Sequence, residues 1–184
     1  MKEPEPDIGY SEESPEKRVL STISKPNKDH DYYAWLVEHA RALRVRQPDF
    51  IDWAGLAEEL EEMAQRTKDS LTSHLAHVLE HLLKLRYEPS ARDRAWRERG
   101  WKKDIAMHRD EVKDILDGSP SLRNQIKDFI AKAYPRGCRY AGTVMVHLDR
   151  WQDTFPAECP WSVEEILDND FFPVFSNDSN QQSH

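Results

Sequence analysis

Three histidines at helical spacing are the residues of this chain most suited to chemistry. His74, His77 and His81 stand at positions i, i+3 and i+7, so a helix would hold them in one line. His77 and His81 have the i, i+4 spacing at which two imidazoles of one helix can share a metal ion. A third ligand would come from another helix. The candidates for that third position are His39, Glu38 and His147.

The same histidines also have a purely structural interpretation. His74 lies about 40° from the centre of the apolar face of its predicted helix, where an imidazole at the edge of a core can donate to a carbonyl. The chain contains no HExxH sequence, which argues against a zinc protease. No cofactor is expected, and a divalent metal at His74, His77 and His81 is the alternative.

The second candidate site is a polar cluster inside a helical bundle, with Glu59, His81, Lys84, Arg94 and Trp96 as its members. Glu59 belongs to an acidic helix start, and acids early in a helix are favoured by its dipole. Because Glu59 borders the apolar stripe, a buried ion pair with Lys84 or Arg94 is expected ahead of acid–base catalysis. A buried network of Glu59, His81 and Arg94 that fixes the register of the helices is a further alternative.

A basic stretch over residues 84–113 holds ten Lys and Arg residues against six Asp and Glu, interleaved with aromatic side chains. Such a mixture can hold the phosphates and bases of nucleic acid. The net charge of −8 and the pI of about 5.5 argue against that use. We therefore expect this stretch to pair with acids of the same chain, and no nucleic-acid partner.

Amphipathic helices must position these residues. The periodicity predicts helices over about residues 30–46, 52–87, 90–117, 120–151 and 163–167. The apolar stripe of the first consists of Tyr33, Leu36, Val37, Ala40 and Leu43. That of the second consists of Trp53, Leu56, Leu60, Ala64, Leu71, Leu75, Val78 and Leu82. The pattern predicts an all-α, mainly antiparallel bundle of four to five helices with one long central helix and disordered termini.

Local signals mark the ends of these helices. Asp31 or Asp29 can cap the first, and Ser162 with Glu165 forms a capping box for the last. Gly118 suits the left-handed residue that closes the third helix, and Pro135 should kink or split the fourth. A break of the long helix near residues 67–70 is an alternative to one continuous helix.

Length and composition fit one helical domain with loose ends. Of 184 residues, 38% are hydrophobic and 33% charged, and the ends are the most polar parts. We expect a disordered tail over 1–28, a single domain over 29–172 and a second disordered tail over 173–184. No apolar run approaches the roughly 20 residues of a membrane span, and no signal pattern is present, so the expected location is cytoplasmic. Cys138 and Cys159 lack metal-finger spacing and are expected to be thiols.

Short strings in a characteristic order carry a family resemblance. They are DYYAWL at 31–36, LAEELEEM at 56–63, HLLK at 81–84, RAW at 94–96, SPSL at 119–122 and CPWS at 159–162. Together they resemble the bacterial family called "domain of unknown function 29" over about residues 29–172. The resemblance implies an all-helical fold and a bacterial cytoplasmic setting. It implies no activity, substrate or catalytic residue.

The leading functional hypothesis is a non-enzymatic protein-interaction or structural module that binds another protein or itself. It rests on abundant amphipathic helix and on the lack of a phosphate loop, a GxSxG motif or a nucleophile–base pair. An exposed apolar groove on the folded surface would support it. The alternative is a metal-binding protein or enzyme with a polar site around His77, His81 and Glu59, so the sequence leaves enzymatic activity undecided.

Overall fold

The structure is a computed structural model that describes residues 27–88, 94–145 and 154–175, without the side chains of residues 94–97 and 144. These ranges contain helices and no strand. The elements are α1 (Tyr32–Arg44), a 3-10 turn (Pro48–Phe50), α2 (Trp53–Tyr87), α3 (Arg94–Gly118), α4 (Pro120–Arg123), α5 (Ile126–Val144) and α6 (Val163–Leu167). The predicted all-α fold with one long helix is confirmed. Most of the predicted tails, 1–28 and 173–184, lies outside the described residues.

The chain folds as two compact units, Met1–Met63 and Ala64–His184, whose boundary lies within α2. We call them the first unit and the second unit. Helix α2 is continuous through residues 67–70, so the alternative of a break there is wrong. Both units share this helix, and the predicted single domain over 29–172 stays a prediction.

The buried face of α1 in the first unit is not the predicted one. Trp35, His39 and Ala42 are buried, whereas Tyr33 and Val37 of the predicted stripe are exposed. The His39 ring lies 4.3 Å from that of Trp35 and 5.7 Å from that of Phe50. His39 satisfies both ring nitrogens, because Nδ1 bonds the Trp35 carbonyl at 2.8 Å and Nε2 accepts from the Asp52 amide at 3.0 Å. Aromatic packing and a satisfied histidine therefore decide which face turns inward.

The second unit contains the main core. The second half of the α2 stripe, Leu71, Leu75, Val78 and Leu82, is completely buried, as predicted. Ile105, Val112 and Leu116 of α3 and the apolar face of α5 complete the same cluster. Gly137 lets α5 approach α2 closely, since a Cβ there would lie 3.0 Å from the Ala76 carbonyl and from Leu79 Cβ. Cys138 and Cys159 are free thiols, as predicted.

The predicted split of one helix at Pro135 and the predicted left-handed conformation of Gly118 are wrong. Helix α5 runs through Pro135, and the chain breaks instead at residues 124–125, between α4 and α5. Pro135 and Ala131 are both exposed, so water can satisfy the Ala131 carbonyl that the missing proline N–H leaves free. Gly118 ends α3 without a positive φ, because Ser119 and Pro120 begin the next helix at once.

The predicted caps of the first and the last helix are confirmed. The Asp31 side chain accepts a hydrogen bond from the Ala34 amide, and Ser162 and Glu165 make both bonds of the capping box. The carboxyl end of α6 has a further partner that the sequence did not indicate. Arg109 of α3 is 0% exposed and donates through Nε to the Ile166 carbonyl at 2.7 Å and through Nη2 to Glu165 and Phe171 carbonyls. Its charge lies where the last carbonyls of a helix are otherwise unpaired.

Candidate functional site

Four imidazoles gather in the second unit, and we call His74, His77, His81 and His108 the histidine cluster. The first three lie on α2 and His108 lies on α3. Nδ1 of His74 is 3.0 Å from Nδ1 of His108. The His77 ring stacks on His108 with centroids 4.7 Å apart and also on Tyr140 of α5, at 5.3 Å. The cluster therefore joins three helices.

A buried ion pair lies beside the cluster. Glu80 and Lys84, one turn apart on α2, are both buried and pair at 2.5 Å. The other oxygen of Glu80 accepts from His77 Nδ1 at 3.0 Å. Burial alone raises the pKa of Glu80, but the hydrogen bonds and charge of Lys84 and His77 outweigh it and hold that pKa below its usual value. Glu80 is therefore an ionised carboxylate that organises its neighbours.

His81 is held neutral. Burial, with help from the Lys84 charge, lowers its pKa to about 4, although Glu80 and Asp104 act in the opposite direction. Its Nε2 lies 3.7 Å from an oxygen of Asp104, and its buried Nδ1 has no hydrogen-bond partner among the described residues. The pKa of His108 is also lowered, first by burial and then by His77 and His74. The cluster therefore disfavours added positive charge at His81 and His108.

The geometry within the described ranges brings no three His, Cys, Asp or Glu side chains into an arrangement that could hold a metal ion. His77 contacts Glu80, and His74 contacts His108. Of the third ligands considered from the sequence, His39 is committed to the first unit and His147 lies outside the described residues. A metal at His74, His77 and His81 stays a prediction.

The members of the predicted polar cluster have different partners. Glu59, in the first unit, accepts from the Tyr32 hydroxyl at 2.5 Å and pairs with Lys28 at 3.4 Å. Lys84 pairs with Glu80 rather than with Glu59. His81 and Lys84 do lie near each other in the second unit. The side chains of Arg94 and Trp96 are outside the described residues.

The first unit carries a different kind of site, an apolar groove at the end of α1. The groove has a volume of about 310 Å³ and is lined by Ala42, Leu43, Arg46, Gln47, Pro48, Ile51 and Trp53. Leu43 is 44% and Trp53 59% exposed. Ala42 and Ile51 are buried members of the small core beneath it. This is a concave apolar surface with two polar side chains.

Arg46 is the unusual residue of this groove. Its φ is 55°, the only positive value at a described residue other than glycine. The Gln47 amide bonds the Ala42 carbonyl and the Arg46 amide bonds the Leu43 carbonyl, which is the Schellman arrangement. Glycine is the usual residue at that position because a side chain there costs about 1 kcal/mol. Arg46 is exposed, whereas the neighbouring Gln47 Oε1 is buried without a hydrogen-bond partner among the described residues.

Comparison with known proteins identifies the family of this chain. The model of the family described as "Domain of unknown function DUF29" matches residues 28–172. The chain belongs to this family. No curated protein and no solved structure matches it. DUF29 membership confirms the resemblance found in the sequence.

The described part of this DUF29 chain contains no helix long and apolar enough to cross a membrane.

Several residues of the candidate sites were not predicted from the sequence. Glu80 could have been found, because it stands three residues after His77 and four before Lys84 on one helix. His108, Tyr140 and Arg46 had no such signal. Their roles follow from helix packing and from one backbone angle.

Proposed function

We propose that this DUF29 chain is a non-enzymatic protein-interaction module whose binding surface lies on the first unit. The observation that carries the proposal is the distribution of exposed large apolar side chains among the described residues. Seven of them belong to the first unit: Tyr32, Tyr33, Val37, Leu43, Trp53, Leu60 and Met63. Only Met107 and Val174 belong to the second. Such an excess of exposed apolar side chains in one unit supports a surface there that binds another protein.

Partner binding would also explain why the side of α1 that carries Tyr33 and Val37 is apolar although it is exposed. These residues repeat at helical spacing, yet they lie on the side of α1 opposite to Trp35 and Ala42. Tyr33 is 77% exposed. An amphipathic pattern without a covering element in the described chain supports a helix face that packs on a partner.

Site-specific photocrosslinking in the producing cell tests this function. Benzoylphenylalanine placed at Tyr33 or Val37 should give one discrete protein adduct, and the same group at Met107 of the second unit should give none. The adduct partner, a different protein or a second copy, is then purified, and Leu43→Asp or Val37→Asp should weaken its binding at least tenfold. Equal adducts from Met107, or binding that neither substitution changes, would refute the proposal.

A second candidate is a divalent-metal site at the histidine cluster. It is supported by His108, which adds an imidazole from another helix 3.0 Å from His74. Elemental analysis of the purified protein beside a His77→Ala, His81→Ala double variant tests it. Stoichiometric metal that the variant loses would favour a metalloprotein or enzyme, and equal, trace metal in both would remove this candidate.

A further inference from the structure

We propose that the groove of the first unit binds the carboxyl-terminal residue of a partner protein, with a large apolar side chain in the groove and the terminal carboxylate on Arg46. This inference rests on the proposed interaction function and names its ligand. The groove combines an apolar wall with one charged lining residue, Arg46. A single carboxyl-terminal residue carries a complement for each of them.

The apolar wall sets the size of the ligand. The groove volume of about 310 Å³ accommodates one large aliphatic or aromatic side chain. Leu43 and Trp53 form exposed sides, and Ile51 is buried beneath them. An inserted side chain would remove water from both exposed walls, which is the main source of affinity at such a surface.

Arg46 sets the charge of the ligand. Its planar guanidinium can bind a carboxylate through two parallel hydrogen bonds. The last turn of α1 also contains Arg41 and Arg44, so this end of the helix is basic although the whole chain carries a net charge of −8. That negative total repels a strongly acidic segment more than one carboxylate. A terminal carboxylate therefore fits better than an acidic stretch.

The backbone position of Arg46 is an independent observation. At φ 55° a glycine would be more stable, so the arginine stands there at a cost to stability. Such strain at a residue that lines a groove supports a binding role for its side chain.

The probes are fluorescein-labelled hexapeptides of sequence Gly-Ser-Gly-Ser-Gly-Leu with either a free carboxylate or a terminal amide. Binding to the full chain is followed by fluorescence anisotropy and by amide chemical shifts in NMR spectra. We expect the free acid to bind at least tenfold more tightly than the amide, since a charge-assisted pair is lost in the amide. The largest shifts should fall on Arg46, Gln47 and Trp53.

Arg46→Gly separates binding from folding. It removes the guanidinium but relieves the backbone, so the thermal midpoint should rise by about 2–4 °C while the tenfold preference for the free acid disappears. Arg44→Gln is the matched control: it removes a neighbouring positive charge that does not line the groove, and the preference should remain.

Equal affinity for acid and amide, or shifts that avoid residues 42–53, would overturn the inference, as would an acid preference that survives in Arg46→Gly. Crosslinks from Tyr33 and Val37 together with peptides that do not bind would leave the proposed function standing and refute only the groove ligand. Selective binding of the acid at these residues would support both.

Discussion

The two units of the molecule treat polar and apolar side chains in opposite ways. The first unit leaves Tyr33, Leu43 and Trp53 exposed, and its buried histidine, His39, has both ring nitrogens satisfied. The second unit completely buries the leucines of the second half of the α2 stripe, and it also buries Lys84 and Arg109. The histidines noticed first in the sequence are half-buried beside the main core, whereas most of the exposed large apolar side chains of the described residues lie in the other unit.

This contrast affects how strongly the buried charges support a catalytic site. A buried ion pair that links neighbouring side chains is weak support for catalysis, because a structural role explains it equally well. Glu80 holds Lys84 and His77, and Arg109 holds the end of α6. In the first unit, by contrast, the charged side chain of Arg46 is exposed and lines a groove, where a ligand can reach it.

Loss of Arg109 should have the largest effect on stability and would show that the second unit depends on a buried charge. Arg109→Ala removes a guanidinium that bonds three carbonyls, so the free energy of unfolding should fall by about 3–5 kcal/mol. Urea unfolding followed by circular dichroism measures it. Arg99→Ala, at an exposed position of the same helix, is the control and should change stability by less than about 0.5 kcal/mol. Similar losses of stability in both variants would contradict the conclusion that Arg109 holds the end of α6 in place.

Two leucines of α2 test the contrast on one helix. Leu75 is 0% exposed in the second unit, and Leu60 is 58% exposed in the first. Leu75→Ala should cost about 2–5 kcal/mol because it leaves a cavity, while Leu60→Ala should cost less than about 0.5 kcal/mol. The same urea titration measures both. A large loss of stability in Leu60→Ala would show that Leu60 is covered in the first unit. It would contradict the contrast between Leu60 and Leu75.

The close approach of α5 to α2 gives an intermediate effect. Gly137→Ala places a Cβ 3.0 Å from the Ala76 carbonyl oxygen. Because this contact is too close, the substitution should lower the free energy of unfolding by about 1–3 kcal/mol. Gly100→Ala meets nothing within 4 Å and should instead stabilise α3 by about 0.5–1 kcal/mol. Opposite signs of the change in thermal midpoint are expected. The same sign for both would show that Gly137 is not a packing residue.

A further effect, confined to acidic pH, sharpens the picture of the histidine cluster. In metal-free protein His81 should titrate near pH 4, because burial and Lys84 oppose its charge. Its folded pKa is below the usual 6.5, so the unfolded chain takes up the proton first. The stability that depends on neutral His81 is complete above about pH 6.5 and is lost as the pH falls towards 4.

Imidazole NMR signals give this pKa directly, and urea unfolding at several pH values gives its effect. His81→Gln should flatten the decline in stability between pH 6.5 and 4, whereas His30→Gln, at an exposed position of the first unit, should not. A His81 signal that titrates near 6.5 would contradict the buried, neutral state.

Sequence reasoning succeeded where the signal is local. The Asp31 cap, the Ser162–Glu165 capping box and the second half of the α2 stripe involve residues within one or two turns of each other. It failed on α1, since both faces of that helix carry apolar residues at the same period. Only Phe50, packed on His39, shows which face is covered.

In the candidate site, too, the local features were predicted and the contacts between helices were not. The line of His74, His77 and His81 on α2 was correct, because spacing on a helix follows from 3.6 residues per turn. The contact of His74 with His108, on another helix and 34 residues away, required the packing of α3. The position of the groove was not predicted. It depends on the turn after α1 and on the positive φ of Arg46.

The sequence by itself determined the all-helical fold, the caps, the long α2 and the membership of DUF29. These depend on neighbours in the chain or on motif order, and short-range geometry suffices for them. Only the tertiary structure decided which face of α1 is buried, which charges are paired and where a ligand could enter. Burial is a property of what lies opposite a side chain, and the period of a helix does not contain that information.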